Sequence, residues 1–408
     1  MKKIILFLFF SSSLFSQISS KKIDRWISNN DDLNGSIVSI AVKRIDKEKK
    51  IVGSGIDIYM TPASNVKIST LLGSIYYGDS IPIINYKVLN DTLKISPTGY
   101  PLLLHPKYRD KDLAKFLKKF KHIVYHTPKI DLNKYGPGWA WDDYNSYYQA
   151  ERSEMPIYGN VVQIRKNSNG EIEVTPDRYK IIFDFDQKKK IHRSETENKF
   201  FINPSLIKFG DTIYSPFITS RKNTISLLES SLGNKVEFNK NELKDYSSLN
   251  TTQVDKIYSA IIKDSDNLIS ESIAANISFR LNDTISVDKG VRLIQNISKQ
   301  IELFDGSGLS RYNLVTPRSV ILSLLDIYNL IGFDRIKKIF PKNYIIQNEE
   351  NFVWGKTGTL KNNHNYSGYI ITDKRKIYVF SIMINHFTKE LDIIKNAIAD
   401  FLIFLKSS

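Results

Sequence analysis

Hydrophobic positions in the stretch before residue 78 predict a β-hairpin that leads into a buried helix. Residues 36–44 are rich in β-branched and apolar side chains and predict a strand, and the charged stretch 46–50 predicts a turn. Residues 51–60 then predict a second strand. The apolar spacing from Asn65 to Tyr77 is typical of a helix with a buried face.

The pattern changes from about residue 78 to residue 212, where short strand-like segments alternate with turn residues. Strands are predicted at residues 86–89, 91–95, 160–164 and 179–183, and one helix at residues 110–120. We interpret the segment 78–212 as one β-rich insertion, or as two nested insertions, within a larger domain.

Helical periodicity returns after residue 213. The predicted elements are helices at 215–232, 255–262, 267–281 and 316–330, a strand at 353–360, a hairpin of 366–371 with 376–384, and a last helix at 391–405. The last helix could lie on a membrane surface, but its polar face is not strongly basic, so we expect it to cover the predicted sheet. Residues 21–77 and 213–408 are therefore predicted to form one domain that segment 78–212 interrupts.

The N-terminus has the layout of a secretory signal peptide, which we assign to residues 1–20. Lys2 and Lys3 precede the apolar run 4–10, and small and polar residues follow. The run is too short to span a bilayer, although a retained anchor or a disordered tail is the alternative. We expect cleavage near Ser16 to Ser20 and a periplasmic mature protein.

The composition of the 408-residue chain is that of a soluble globular protein, with 41% hydrophobic and 25% charged residues. Cysteine is absent, which excludes disulfides, thiolate metal sites and a lipid-modified cysteine. The net charge of +15 favours association with polyanions or acidic membranes, but Lys, Asn and Ile are abundant throughout, so charge alone identifies no partner. No metal is predicted, because the six histidines show no paired ligand spacing. No cofactor is predicted either, and no nucleic acid, since its binding would rest on net charge alone.

The segment 61–67 has the pattern of a nucleophilic serine with its own base. On a helix, residue i+3 lies beside residue i, so the Ser64 hydroxyl and the Lys67 amine can meet. A serine hydroxyl needs a base to become a nucleophile, and a lysine is a base near neutrality only if burial or a neighbouring cation lowers its pKa. This spacing alone is weak evidence for a catalytic pair, because Ser19 and Lys22 show the same spacing.

Two later elements strengthen this interpretation. They are Ser265-Asp266-Asn267 and Lys356-Thr357-Gly358, and together with Ser64 and Lys67 they match the motif set of the serine penicillin-binding proteins and β-lactamases. In that chemistry Ser64 attacks a carbonyl, while Lys67, Ser265 and Asn267 handle the proton and hold the geometry. Lys356 and Thr357 would bind a substrate carboxylate, and Gly358 would let the substrate backbone approach. The N–H groups of Ser64 and Thr359 would form the oxyanion hole.

A Gly/Pro-rich loop at 136–148 carries an aromatic and acidic cluster. Loops with such side chains often bind ligands, although Trp side chains that fill a small core would give the same pattern. The cluster contains Trp139, Trp141, Asp142, Asp143, Tyr147 and Tyr148.

Four ordered segments resemble the class C low-molecular-mass penicillin-binding proteins, the D-alanyl-D-alanine carboxypeptidases/endopeptidases of peptidoglycan. The segments are 62–67, 265–268, 305–311 and 355–360, and the long gap between the first two also resembles that family. The resemblance implies an α+β fold: a β-lactamase/transpeptidase-like domain with a five-stranded antiparallel sheet flanked by helices, carrying β-rich insertions between its first two motifs. It also implies peptidoglycan stem peptides as substrates and β-lactams as covalent inhibitors.

The same resemblance implies a subsite for the diamino acid of the stem peptide. Arg311 would hold its free carboxylate, which suits the bidentate geometry of arginine. One of Asp142 and Asp143, with Tyr147 or Tyr148, would hold its ammonium group. The chain departs from the usual pattern at residues 99–101 and 149–158, which leaves its substrate preference open.

Two other functions remain open on the sequence. A β-lactamase or esterase on this fold would require fast deacylation, and no equivalent of the class A deacylating glutamate is evident. A non-catalytic wall-binding protein would not need the intact Ser64, Lys67, Asn267 and Lys356.

Overall fold

The computed structural model describes residues 18–48, 50–251, 253–342 and 352–408, so most of the predicted signal peptide lies outside the described residues. The helices of these residues are α1 (Ser20–Ser28), α2 (Val66–Tyr76), α3 (Lys111–Lys118), α4 (Arg221–Leu232), α5 (Val254–Ile262), α6 (Asn267–Asn282), α7 (Val287–Ile297), α8 (Pro317–Ile339) and α9 (Leu391–Lys406). None of them is long and apolar enough to cross a membrane.

The strands of the same residues form two five-stranded sheets, two three-stranded sheets and one two-stranded sheet. They are β1 (Ile37–Arg44), β2 (Val52–Ser54), β3 (Ile81–Leu89), β4 (Thr92–Pro97), β5 (His122–His126), β6 (Val161–Lys166), β7 (Ile172–Thr175), β8 (Lys180–Phe183), β9 (Ile191–Arg193), β10 (Lys199–Ile202), β11 (Thr212–Pro216), β12 (Lys235–Asn239), β13 (Ser247–Thr251), β14 (Ile301–Glu302), β15 (Leu314–Val315), β16 (Val353–Leu360), β17 (Asn363–Ile371) and β18 (Ile377–Asn385).

A five-stranded sheet of order β16-β17-β18-β1-β2 joins the two ends of the chain. Every pairing in it is antiparallel, and Ile37 of β1 lies opposite Asn385 of β18. Apolar residues of α1 and α9 cover one face, where the rings of Trp26 and Phe401 meet edge to face at 5.0 Å. The last helix therefore packs on the sheet, as the sequence pattern indicates. The expected α+β fold with a five-stranded antiparallel sheet is confirmed.

A helical layer on the opposite face of the sheet holds the nucleophile segment. The buried side chains of α2, α5, α6 and α8 share one core with inward-facing residues of the sheet. Helix α6 is buried along most of its length, from Leu268 to Ser278. Because its N-terminus follows Asp266, burial of the helix fixes the Ser265–Asn267 segment against α2.

The inserted segment is β-rich, but its strands do not stop at residue 212. Strand β11 spans that position and pairs with β6, while β12 and β13 complete a sheet of order β12-β5-β4-β3-β13. A separate three-stranded sheet has the order β8-β10-β9. Strand pairing therefore favours an insertion that extends to about residue 251, and the division of the chain into domains remains a prediction.

Three local predictions were wrong. Ser64 lies in a 3-10 turn, Ala63–Asn65, and the α-helix begins only at Val66. The second strand of the hairpin is short, Val52–Ser54, because the chain turns at Gly55, whose φ is +60°. The predicted helix at 215–232 begins at Arg221, after β11 and the cap formed by Ser220, whose side chain accepts from the Asn223 N–H.

Candidate active site

Two glycines allow the backbone to close tightly around Ser64. A Cβ on Gly308 would lie 1.9 Å from the carbonyl oxygen of Ala63, and one on Gly358 would lie 2.4 Å from that of Pro62. Side chains at these positions would therefore push two segments away from the nucleophile. Ala63 itself has φ +48°, a left-handed conformation that is uncommon without glycine. The turn that carries Ser64 is held by its neighbours, not by local helix propensity.

The contacts of Lys67 define the direction of proton transfer. Its Nζ lies 2.6 Å from Asn267 Oδ1, 2.6 Å from the Ser307 carbonyl oxygen and 3.0 Å from Ser64 Oγ. The Asn267 amide donates through Nδ2 to the Tyr148 carbonyl at 2.8 Å, so its Oδ1 is the atom that faces Lys67. A neutral amine has two hydrogens, and both are taken by these two acceptors. Its lone pair then remains for the proton of the Ser64 hydroxyl.

The surroundings of Lys67 adjust its basicity in two opposing directions. Burial of the fully covered side chain lowers its pKa to about 8, while the negative charges of Asp305, Glu271 and Asp266 act in the opposite direction. At neutral pH roughly one molecule in ten then carries the neutral amine. That fraction suffices for a general base whose conjugate acid can return the proton.

A second buried lysine lies on the other side of the site. Lys356 Nζ donates to Ser265 Oγ at 2.9 Å and to the Thr357 carbonyl at 2.7 Å. Burial, with the nearby charge of Lys67, lowers the pKa of Lys356 well below its usual range. Ser265 has φ +56°, and this conformation places its hydroxyl on Lys356. Ser265 thus lies between Lys356 and the cleft, where its hydroxyl could transfer a proton from one to the other.

Strand β16 presents free backbone donors along the cleft. It is the edge strand of its sheet, and the Gly355 N–H points away from β17, to the Pro341 carbonyl at 3.1 Å. The pairing of β16 with β17 is regular, so the N–H groups of Thr357 and Thr359 point to the same outer side. This orientation suits the expectation that the Thr359 N–H and the Ser64 N–H together form an oxyanion hole.

A cleft of about 1150 Å³ opens over these groups. Of the residues predicted from the sequence, those that line it are Ser64, Ser265, Asn267, Thr359, Arg311, Asp143, Tyr147 and Tyr148. Lys67 and Lys356 are buried behind it, and Asp142, Thr357 and Gly358 are not among the lining residues. Asp143, whose Oδ1 accepts from the Tyr148 hydroxyl at 2.6 Å, is therefore the better placed of the two aspartates.

Several contributions to the site were not predicted from the sequence. The carbonyl groups of Ser307 and Tyr148 orient Lys67 and Asn267, and a backbone carbonyl leaves no signal in residue type. The cleft wall also includes Ile191, Ile213 and Tyr214 of the inserted sheets. Their apolar alternation indicates strands but not which face meets the cleft. Among the described residues, no group of three or more His, Asp or Glu side chains could hold a metal ion.

His105 is a further residue near the site that was not predicted from the sequence. It is buried, its Nδ1 accepts from the N–H groups of Lys107 and Tyr108, and its Nε2 lies 3.6 Å from Asp266 Oδ2. The other carboxylate oxygen of Asp266 caps α6 through the Ile269 N–H. His105 therefore supports the segment that carries Ser265 and Asn267.

The fold and the site together resemble those of the serine acyl-transferring enzymes of the penicillin-binding protein and β-lactamase class. Within that class, residues 240–403 match the model of the D-Ala-D-Ala carboxypeptidase 3 (S13) family, which confirms the resemblance found in the motifs. The matched part of the chain, which includes the second and third motifs, is thus similar to serine-type D-Ala-D-Ala carboxypeptidases. No curated protein matches the chain.

Solved structures show the same fold at low sequence identity. Penicillin-binding protein 4 of Haemophilus influenzae is 18% identical with a TM-score of 0.70, over 94% of this chain and 99% of that one. The same protein complexed with a novel β-lactam gives a TM-score of 0.66 at 18% identity, over 96% and 100% of the two chains. A predatory peptidoglycan endopeptidase of Bdellovibrio bacteriovorus is 11% identical with a TM-score of 0.53, over 90% and 93%.

Proposed function

We propose that this protein hydrolyses the terminal D-Ala-D-Ala bond of peptidoglycan stem peptides, and D-Ala–diamino acid cross-links, through an acyl-Ser64 intermediate. The observation that carries the proposal is the triple contact of Lys67 Nζ, with two fixed acceptors and the Ser64 hydroxyl, at the base of an open cleft. The family match and the fold support the same chemistry.

In the acylation step Ser64 Oγ bonds to the carbonyl carbon of the scissile peptide. Its proton passes to the lone pair of Lys67, and the developing oxyanion is held by the N–H groups of Ser64 and Thr359; losing one such donor typically costs about 3–4 kcal/mol. When the C–N bond breaks, the leaving amine takes a proton from the Ser265 hydroxyl, which regains one from Lys356 Nζ. Water then attacks the ester with the same groups in reversed roles, which releases the product acid and the Ser64 hydroxyl.

Charged groups around the cleft account for substrate recognition. Lys356 with Thr357 would bind the terminal carboxylate of a carboxypeptidase substrate. Arg311, which is exposed and lines the cleft, would bind the carboxylate of the diamino acid. Asp143 with Tyr148 would bind its ammonium group, so both ends of the side chain meet an opposite charge.

The decisive experiment combines penicillin labelling with product analysis. A fluorescent penicillin is expected to label the wild-type protein and not Ser64→Ala, and digestion of purified peptidoglycan is expected to release D-Ala or to open cross-links, as seen by mass spectrometry. Absence of both results would overturn the proposal. Rapid turnover of penicillin, in place of a long-lived adduct, would indicate a β-lactamase instead.

Export to the periplasm is part of the proposal and rests on the pattern of the first 20 residues. Ile18 is buried in the core beneath α9, and the Ser20 hydroxyl accepts from the Gly53 N–H. Cleavage after Ile18 would remove a packed side chain, so we expect it at the early end of the predicted range. N-terminal sequencing of the exported protein measures this, and a mature N-terminus beyond Ser20 would contradict it.

A further inference from the structure

Asp305 is a buried carboxylate that the proposed reaction does not use. It is fully covered, yet it accepts four hydrogen bonds. Its Oδ1 accepts from the Gly308 N–H and the Asn313 side chain, both at 2.8 Å. Its Oδ2 accepts from the Ser310 N–H at 2.5 Å and from Trp139 Nε1 at 2.9 Å. This many donors compensate for burying the charge.

Three of these bonds fix the loop that carries Arg311. Asn313 also accepts from the Phe304 N–H and donates to the Ser310 carbonyl. Both ends of the turn from Phe304 to Ser310 are therefore bonded to Asn313, which is itself bonded to Asp305. Arg311 therefore projects from a loop that cannot shift without breaking the bonds of Asp305. Its place at the cleft depends on that carboxylate.

The fourth bond reaches the loop that carries Asp143. Trp139 is followed by Ala140, whose carbonyl accepts from the Asp143 N–H at 3.2 Å and from the Gln149 side chain at 2.8 Å. The Trp139 ring also stacks on the Arg152 guanidinium at 4.8 Å, and Arg152 is bonded to Glu271 of α6. Trp139 is thus rigidly connected to Asp143 and to the core of the catalytic side.

Among the residues that the structure describes, the Trp139–Asp305 bond is the one hydrogen bond that joins the loops 136–149 and 303–315. The loops also touch at Gly138, where a Cβ would lie 3.0 Å from Ser310 Oγ and from the Tyr312 ring. We propose that Asp305 and Trp139 are positioning residues, whose mutual bond holds Arg311 and Asp143 in place together and so favours a side chain that carries both a carboxylate and an ammonium group. This inference rests on the proposed function.

The test compares Trp139→Phe with the wild-type full chain on two peptides. Both peptides end in D-Ala-D-Ala; the preceding residue carries either a free ammonium and carboxylate on its side chain or an uncharged alkyl group. Phenylalanine keeps an aromatic ring beside Arg152 and removes the N–H that donates to Asp305, together with part of the ring; the loss of ring volume should affect both peptides alike. We expect kcat/KM for the charged peptide to fall about tenfold, and that for the uncharged peptide to fall less than about threefold.

Trp141→Phe is the matched control, because the Trp141 side chain is 77% exposed and lies outside the cleft lining. It should change neither rate constant more than about twofold. Equal losses for both peptides in Trp139→Phe would indicate a general structural role and overturn the inference, as would no loss at all. If Trp139→Phe does not fold, Asp305→Asn, which presents an amide donor to the same partners, should lower kcat/KM for the charged peptide relative to the uncharged one in the same way; its effect on the pKa of Lys67 acts on both peptides alike.

Failure of the inference and of the proposed function can be told apart. A wild-type protein that cleaves both peptides equally well has no side-chain selection, which overturns the inference and leaves the acyl-serine chemistry intact. If the wild-type protein cleaves neither peptide and binds no penicillin, both the inference and the proposed function are overturned.

Discussion

Lys67 Nζ lies 2.6 Å from Asn267 Oδ1, although the two residues are 200 positions apart. The Asn267 amide is oriented by the Tyr148 carbonyl, a group of the inserted segment. The proposed general base is therefore aligned by three parts of the chain at once: its own helix, the start of α6 and the inserted segment. This arrangement explains why the catalytic side and the insertion must fold together for the site to form.

The rate of acylation should depend on pH through Lys67. Because burial lowers its pKa to about 8, the neutral base disappears as the pH falls below that value. We expect kcat/KM for penicillin acylation to fall about tenfold for each unit below an acid limb near pH 8. A stopped-flow pH profile measures it. A limb near pH 10 would mean that the buried lysine keeps its ordinary pKa.

Asn267→Asp should move that limb to higher pH. The new carboxylate would lie beside Lys67 Nζ, stabilise its charged form and so raise its pKa. It would also lose the amide that donates to Tyr148. At pH 7 we expect acylation to fall at least about tenfold, with partial recovery in more alkaline buffer.

Asn282→Asp provides the control for this change. Asn282 ends the same helix, α6, and is exposed, so the substitution adds the same charge far from Lys67. Its pH profile should match the wild type. If Asn267→Asp left the acid limb in place or moved it to lower pH, the role of Asn267 as acceptor for Lys67 would be wrong.

Gly308→Ala should destabilise the protein and abolish penicillin binding. The residue has φ +85°, and an added Cβ would meet the Ala63 carbonyl oxygen at 1.9 Å, next to Ser64. Strain of the left-handed conformation costs about 1–2 kcal/mol, and the clash adds about 1–3 kcal/mol. Urea unfolding measures the sum, and labelling measures the displaced nucleophile.

Gly170→Ala separates the two contributions to that loss. Gly170 has φ +82°, but nothing lies within 4 Å of the position of its Cβ. This variant should lose only the conformational cost and should keep full labelling. Equal destabilisation of the two variants would show that the close approach of Gly308 to Ala63 is unimportant.

Much of the site could be predicted because its side chains carry the chemistry in short motifs. Through residue type alone, Ser64 and Lys67 indicate a nucleophile and a base. Lys356, with the glycine of its motif, indicates a close backbone approach. The start of α6 is marked by Asp266, which caps it. These signals are local in the sequence, so they can be recognised without knowledge of the fold.

The parts that could not be predicted depend on tertiary contacts. Nothing in the sequence around Ser307 shows that its carbonyl faces Lys67, because every residue has a carbonyl. The 3-10 turn at Ser64 results from contact with Gly308 and Gly358, which are remote in sequence. Strands β12 and β13 lie between two predicted helices in sequence, and only their pairing with β5 and β3 shows that they belong to the same sheet as the strands before residue 212.

The choice between Asp142 and Asp143 can be decided with a pair of isosteric variants. Asp143 lines the cleft, whereas Asp142 is exposed and outside its lining. Asp143→Asn keeps an oxygen that can accept from the Tyr148 hydroxyl and removes only the charge. We therefore expect kcat/KM for a peptide with a side-chain ammonium group to fall about 10- to 100-fold, the usual loss for a hydrogen bond to a charged group. Asp142→Asn should leave it within about twofold.

The substrate provides the second control for Asp143. When the ammonium group is acetylated, its charge is lost, so the wild type should lose most of its advantage and Asp143→Asn should become nearly equal to it. A steady-state comparison of both proteins on both peptides gives the coupling between the two charges directly. Additive effects, with no coupling, would show that Asp143 does not face the ammonium group, and a greater loss in Asp142→Asn would assign that role to its neighbour.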